Sequence, residues 1–134
     1  MKTLLTLAAL FIIGTVSAQL SITTNFRQDA VWNVAEEQWK VLESDENKTY
    51  FAFNRELTSF NHKTATIESN YTITKWDYNE EDVKYTMTVV SDAGNEYEMI
   101  IDGVNNCVAF FYYYGDDYVL VRHTIETTKF EEEE

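Results

Sequence analysis

The sequence predicts an all-β domain, an antiparallel meander of about eight or nine strands that forms a curled sheet or a small barrel. Runs of β-branched and aromatic residues recur at strand length, and one run alternates strictly between apolar and polar residues. The polar clusters between the runs span only about two to five residues, too few for the crossover that a parallel pair requires. Neighbouring strands should therefore pair antiparallel.

Residues 1–18 have the layout of a cleavable signal peptide. Lys2 precedes an apolar run from Leu4 to Val16, and Ser17 and Ala18 supply small side chains for a signal peptidase. A helix needs about twenty apolar residues to cross a bilayer, and this run is shorter. We expect cleavage after Ala18 and a secreted or periplasmic protein.

The rest of the chain is expected to form a single β domain over residues 19–130 and a solvated acidic tail over residues 131–134. Apolar residues make up 45% of the sequence, which is enough to form a hydrophobic core. Because 23 Asp and Glu residues outnumber 10 Lys and Arg residues, the protein repels phosphate backbones and anionic lipids. We therefore expect no nucleic-acid partner and no membrane partner after signal cleavage.

In the first half of the domain, runs of β-branched and aromatic residues are separated by polar turns. The predicted strands cover residues 31–34, 39–42, 50–53, 58–62 and 66–78. The apolar positions of the first two fit strand alternation better than a helix. In the last strand the apolar residues change phase between Ile73 and Trp76, which turns side chains to the other face of the sheet. We therefore predict a bulge or bend near Lys75.

The second half contains the clearest strand of the chain. Its apolar residues occupy every second position: Val83, Tyr85, Met87 and Val89. Residues 91–95 form a predicted hairpin turn in which Gly94 supplies a positive φ. Further strands are predicted at 97–101, 108–114 and 118–126, with reversals at 102–106 and 115–117.

The segment from Val108 to Tyr114 is the most unusual feature, because it is apolar in both strand phases. Such a strand lies in the centre of a sheet or lines a cavity. The core accounts for one phase, whereas Phe111 and Tyr113 in the other phase need a cover of their own or form a contact patch or cavity wall. With Trp76 they are the predicted ligand-binding residues.

Residues suited to catalysis or metal binding are scarce. His62 and His123 are the only histidines, and no nucleophile motif accompanies them. Two histidines and the single Cys107 cannot form a usual zinc site, and the acidic loops lack EF-hand spacing. Because His123 shares its strand phase with Val121, we expect it on the buried face. We predict a buried Cys107, no catalytic residue, no metal and no cofactor.

The strand rhythm shows one family resemblance. Phe51-Ala52-Phe53-Asn54 and Thr58-Ser59-Phe60, followed by a strand that ends near Trp76, resemble small lipocalin-like meander domains of exported bacterial proteins. The Gly-x-Trp signature that lipocalins carry near the first strand is absent. The resemblance implies a curled antiparallel barrel and transfers no functional residues.

The expected function is that of an exported, non-enzymatic binding module, a monomer whose ligand is a small molecule or a protein. The sequence offers aromatic surface but no assembled catalytic group. The alternative is an interaction or inhibitor protein that docks its aromatic face on a basic exported partner. A hydrolytic enzyme is the third possibility.

Overall fold

The computed structural model describes residues 18–132. The predicted signal peptide before Ala18 and the last two residues of the predicted tail lie outside these residues. The described chain forms nine strands: β1 (Ala18–Asn33), β2 (Gln38–Asp45), β3 (Thr49–Phe53), β4 (Ser59–Lys63), β5 (Glu68–Asn79), β6 (Lys84–Ser91), β7 (Glu96–Asp102), β8 (Cys107–Tyr114) and β9 (Asp117–Glu132).

The strands form one antiparallel sheet in the order β2-β1-β3-β4-β5-β6-β7-β8-β9. Because β1 also pairs with β9, the sheet closes into an eight-stranded barrel. The predicted fold class, including the lipocalin-like barrel, is therefore confirmed. A barrel of eight strands is just wide enough to be filled by side chains or to hold one small ligand.

Strand β1 organises the closure. One of its edges pairs with β9, and its other edge pairs with β3 through residues 20–24 and with β2 through residues 27–33. Strands β2 and β3 thus follow one another along the same edge of β1. Within the described chain, β2 pairs with β1 alone.

The core lies inside the barrel, because alternate side chains of each strand point inward. The most deeply buried side chains are Leu20, Ile22, Phe51, Phe53, Leu57, Tyr85, Met87, Val89, Met99, Ile101 and Val108. The predicted alternation from Val83 to Val89 is confirmed, since all four apolar residues are buried. The buried Cys107 is confirmed as well.

Two local predictions are also confirmed. The register of β5 against β6 shifts between Ile73 and Lys75, where a bulge is predicted. Gly94 has φ of 88°, and its N–H donates to the carbonyl of Ser91 at 2.9 Å. Strand β9 continues to Glu132, two residues beyond the predicted domain boundary. The described residues include no helix with the length and apolar character that membrane crossing requires.

Candidate functional site

A cavity of about 140 Å³ lies inside the barrel, beside the half of β1 that pairs with β2. It is lined by residues of six strands: Arg27, His62, Tyr71, Tyr97, Phe110, Tyr112, Val121 and His123. The wall therefore combines aromatic rings with one guanidinium and two imidazoles. A concave, mostly aromatic pocket with a few convergent polar groups is typical of a small-molecule site.

His123 forms the most buried polar part of the wall. It is 2% exposed, and its Nδ1 has no hydrogen-bond partner among the described residues. Burial, together with the charges of the nearby Arg27 and His62, lowers the pKa of His123 to about 3, although Asp29 acts in the opposite direction. The ring is therefore neutral at pH 7, with one nitrogen as donor and the other as acceptor.

His62, on β4, repeats this chemistry across the cavity. Its ring stacks on Phe51 at a centroid distance of 5.0 Å and lies 6.3 Å from the ring of His123. Its Nε2 is buried and also has no partner among the described residues. Burial, then the charge of Arg27, lowers the pKa of His62. A buried polar group without a partner costs about 1–3 kcal/mol, and a ligand that binds these nitrogens would recover it.

Arg27 brings a fixed positive charge to the cavity. It lies opposite His123 in the β1–β9 ladder and pairs with Asp29 through two hydrogen bonds, Nε to Oδ1 at 2.7 Å and Nη2 to Oδ2 at 3.1 Å. The hydrogen bond to Asp29 raises the pKa of Arg27 despite partial burial. A guanidinium has five N–H donors, so donors remain for a ligand. The Arg27 side chain is 38% exposed, so this part of the cavity wall is in contact with solvent.

Tyrosine rings form the flat walls. Tyr71 stacks on Phe60 with a ring-centroid distance of 4.8 Å. The ring centroid of Tyr97 lies 6.0 Å from that of Tyr71 and 5.2 Å from that of Tyr112, both in edge-to-face geometry. Burial raises the pKa values of Tyr71 and Tyr112, so both hydroxyl groups stay protonated at neutral pH. They can therefore donate and accept hydrogen bonds while the rings give planar apolar contact.

A second concave surface lies outside the barrel. We call it the outer aromatic groove; its volume is about 470 Å³ and it is lined by Trp32, Val34, Trp39, Tyr113, Asp116, Asp117 and Tyr118. The aromatic residues come from the adjacent strands β2, β1, β9 and β8. The ring centroids are 5.3 Å apart for Trp32 and Trp39, 5.6 Å for Trp39 and Tyr118, and 4.8 Å for Tyr113 and Tyr118.

The structure brings two of the three predicted ligand-binding residues together. Tyr113 is 72% exposed and lines the outer aromatic groove. Phe111 lies beneath the groove and is covered by Trp39 and Tyr118, whose ring centroids lie 6.0 Å and 6.1 Å from that of Phe111. Trp76 is separate: it lies on β5, is 43% exposed and contacts Tyr85 at 5.8 Å. It lines neither the cavity nor the groove.

The interior cavity contains residues that the sequence pattern does not single out. The predicted inward phase of β9 does place His123 on the buried face. Arg27 has no such signal, because the register of β1 against β9 shifts between Thr24 and Phe26. Asn25 is the extra residue, and it turns Arg27 inward although simple alternation from Ile22 would turn it outward.

Among the described residues, no group of three or more His, Cys, Asp or Glu side chains is placed to hold a metal ion. Comparison of the chain with models of protein families, with curated proteins and with solved structures finds no match.

Proposed function

We propose that this protein is an exported, non-enzymatic binding protein whose small-molecule ligand occupies the interior cavity. One observation carries the proposal: His123, 2% exposed, presents in the wall of a cavity an Nδ1 that has no partner in the described part of the chain. Buried polar atoms are nearly always hydrogen-bonded, so an exception at a cavity wall points to a ligand. Export is proposed from the signal-peptide layout of residues 1–18.

The volume limits the size of this ligand. A cavity of about 140 Å³ is close to the roughly 150 Å³ cavity that accommodates benzene in another protein. The ligand should therefore have about six to nine non-hydrogen atoms inside the barrel. Tyr71, Tyr97 and Phe110 favour a planar ring, because aromatic pairs stack or meet edge to face.

The polar groups define the substituents of the ring. His123 and His62 each provide a nitrogen that no described residue hydrogen-bonds, and Arg27 retains N–H donors. A planar ligand with one or two oxygen atoms would accept from Arg27 and share a hydrogen bond with an imidazole. Because Asp29 already pairs with Arg27, the site does not require the ligand to carry a full negative charge.

The composition of the wall supports binding rather than catalysis. Among residues 18–132, no Ser, Thr, Cys or Lys lines the cavity, so none of these nucleophiles stands beside the two histidines. The protonated hydroxyl groups of Tyr71 and Tyr112 and the neutral ring of His123 are suited to hydrogen bonding.

Thermal unfolding with single-ring probes tests the proposal. Benzoate, phenol and benzamide are added in turn to the wild type, to His123→Phe and to Trp76→Phe, in which the exposed Trp76 serves as a matched control. A bound probe at ten times its Kd adds about 1.4 kcal/mol and should raise Tm by about 5 °C. We expect this shift in the wild type and in Trp76→Phe for at least one probe, and a smaller shift in His123→Phe. The absence of a shift with all three probes, or an equal shift in His123→Phe, would contradict the proposal.

A further inference from the structure

We propose that the outer aromatic groove binds a basic, extended segment of another protein and holds a Lys or Arg side chain of that segment against its rings. The groove is separate from the interior cavity and shares no lining residue with it. The inference therefore goes beyond the small-molecule function and does not depend on it.

The rings of the groove suit a cation. Tyr113 is 72% exposed and Trp32 is 37% exposed, so both offer ring surface to a partner. A Lys or Arg group within about 6 Å of a Trp or Tyr ring centroid is attracted by the negative face of the ring. The alkyl part of the same side chain can pack on Val34, which also lines the groove.

The charges of the groove are complementary to a basic group. Asp116 and Asp117, in and beside the turn between β8 and β9, contribute two carboxylates to the lining. Neither of them forms an ion pair within residues 18–132. The neighbouring turn between β1 and β2 adds the exposed Glu36 and Glu37. With a net charge of −13 for the whole chain, this end of the barrel attracts basic partners.

Strand β2 favours an extended segment over a free small cation. Trp39 of the groove lies on β2, which pairs with β1 along one edge only in the described chain. The backbone groups of the other edge are available to an added strand, and Val41 beside them is 52% exposed. The register shift between Asp29 and Ala30 makes Leu42 an extra residue on β2. Regular pairing of β2 with an added strand is therefore limited to residues 38–41.

A second copy of this chain is a poorer occupant. It would carry the same net charge of −13, and its approach would be opposed by like-charge repulsion. A basic partner meets the acidic turns and the aromatic rings together.

Tryptophan fluorescence of the Trp76→Phe protein tests this inference, because its remaining tryptophans, Trp32 and Trp39, both line the groove. The probes are the peptides acetyl-(Lys-Val)₄-amide and acetyl-(Glu-Val)₄-amide. We expect the Lys peptide to bind at least about tenfold more tightly than the Glu peptide, with affinity that falls as salt rises. Absence of binding, or equal binding of both peptides, would overturn the inference.

Two pairs of substitutions separate local recognition from overall charge. Asp116→Asn with Asp117→Asn should weaken the Lys peptide at least about tenfold. Asp77→Asn with Asp82→Asn removes the same charge from exposed sites outside the groove and should change affinity less than about twofold. Equal weakening by the two pairs would reduce the effect to net charge and refute a groove site.

The remaining arms test the kind of partner. N-methylation of alternate backbone nitrogens in the Lys peptide should weaken binding at least about tenfold if the segment pairs with β2. If acetyl-lysine methylamide bound as tightly as the Lys peptide, the groove would be assigned to a small cation. If cellobiose changed the tryptophan fluorescence and the Lys peptide did not, the groove would be assigned to a glycan. Either outcome overturns the inference. His123→Phe should leave peptide binding unchanged, so failure of the cavity function and failure of the groove inference are distinguishable.

Discussion

Acidification should destabilise this protein at a pH where its carboxylates are still ionised, because the buried His123 cannot easily accept a proton in the folded barrel. Burial lowers the pKa of His123 to about 3, compared with an ordinary value of 6.5. The unfolded chain therefore binds a proton at His123 at a higher pH than the folded chain does. The stabilisation is fully present above about pH 6.5 and is lost as the pH falls from about 6.5 to about 3.

The magnitude follows from the difference in pKa. One pKa unit corresponds to about 1.36 kcal/mol, so the step from pH 7 to pH 5 removes about 2 kcal/mol of the free energy of unfolding through His123 alone. The pKa of His62 is lowered as well, so His62 also reduces the free energy of unfolding as the pH falls below its ordinary pKa of 6.5. A loss of about 2 kcal/mol is a substantial part of the stability of a small domain.

Urea unfolding at pH 7, 6 and 5, at constant ionic strength, measures this loss. His123→Phe removes the titrating ring and keeps a planar side chain, so its stability should fall about 2 kcal/mol less than that of the wild type between pH 7 and pH 5. His62→Phe is the matched control and should retain the part of the slope that belongs to His123. A wild type that loses less than about 0.5 kcal/mol, or a His123→Phe variant that loses as much as the wild type, would refute the reasoning.

Three further predictions concern other parts of the chain. Burial raises the pKa of Asp102, but hydrogen bonds from the 103–106 turn outweigh it and hold the pKa below its usual value. Asp102→Ala should therefore lower the free energy of unfolding, measured in urea, by about 2–3 kcal/mol. The control Asp77→Ala, at an exposed site, should change it by less than about 0.5 kcal/mol. Equal effects would show that the turn hydrogen bonds contribute nothing. Burial raises the pKa of Cys107, so a thiol reagent should label the native protein at least about a hundredfold more slowly than the protein in urea, and comparable rates would contradict a buried thiol. N-terminal sequencing of exported protein should begin at Gln19, and a mature protein that retains Lys2 would exclude the proposed signal peptide.

Much of the barrel could be predicted because strand alternation is a local property. The inward residues Val83, Tyr85, Met87 and Val89 follow the period of two that any half-buried strand requires, and the phase change near Lys75 marks a bulge. Short polar turns at Gly94 and Gly115, both with positive φ, join neighbours into antiparallel pairs. Each of these features depends on residues close together in the chain.

The candidate sites depend on contacts between distant segments. Strand phase placed His123 inward, but Arg27 lies opposite it in the cavity wall only because the extra residue Asn25 changes the phase of β1 against β9. Trp39 covers Phe111 because β1 pairs with β9 and β9 pairs with β8, which brings the β1–β2 hairpin beside β8. The sequence by itself determined most of the strands and turns and the inward faces of the regularly alternating strands, since side-chain periodicity and turn chemistry are local. It did not predict the first part of β1, residues 18–30, where bulges interrupt the alternation. Only the tertiary structure decided which polar groups share a cavity, because barrel closure and bulges set the register between strands far apart in the chain.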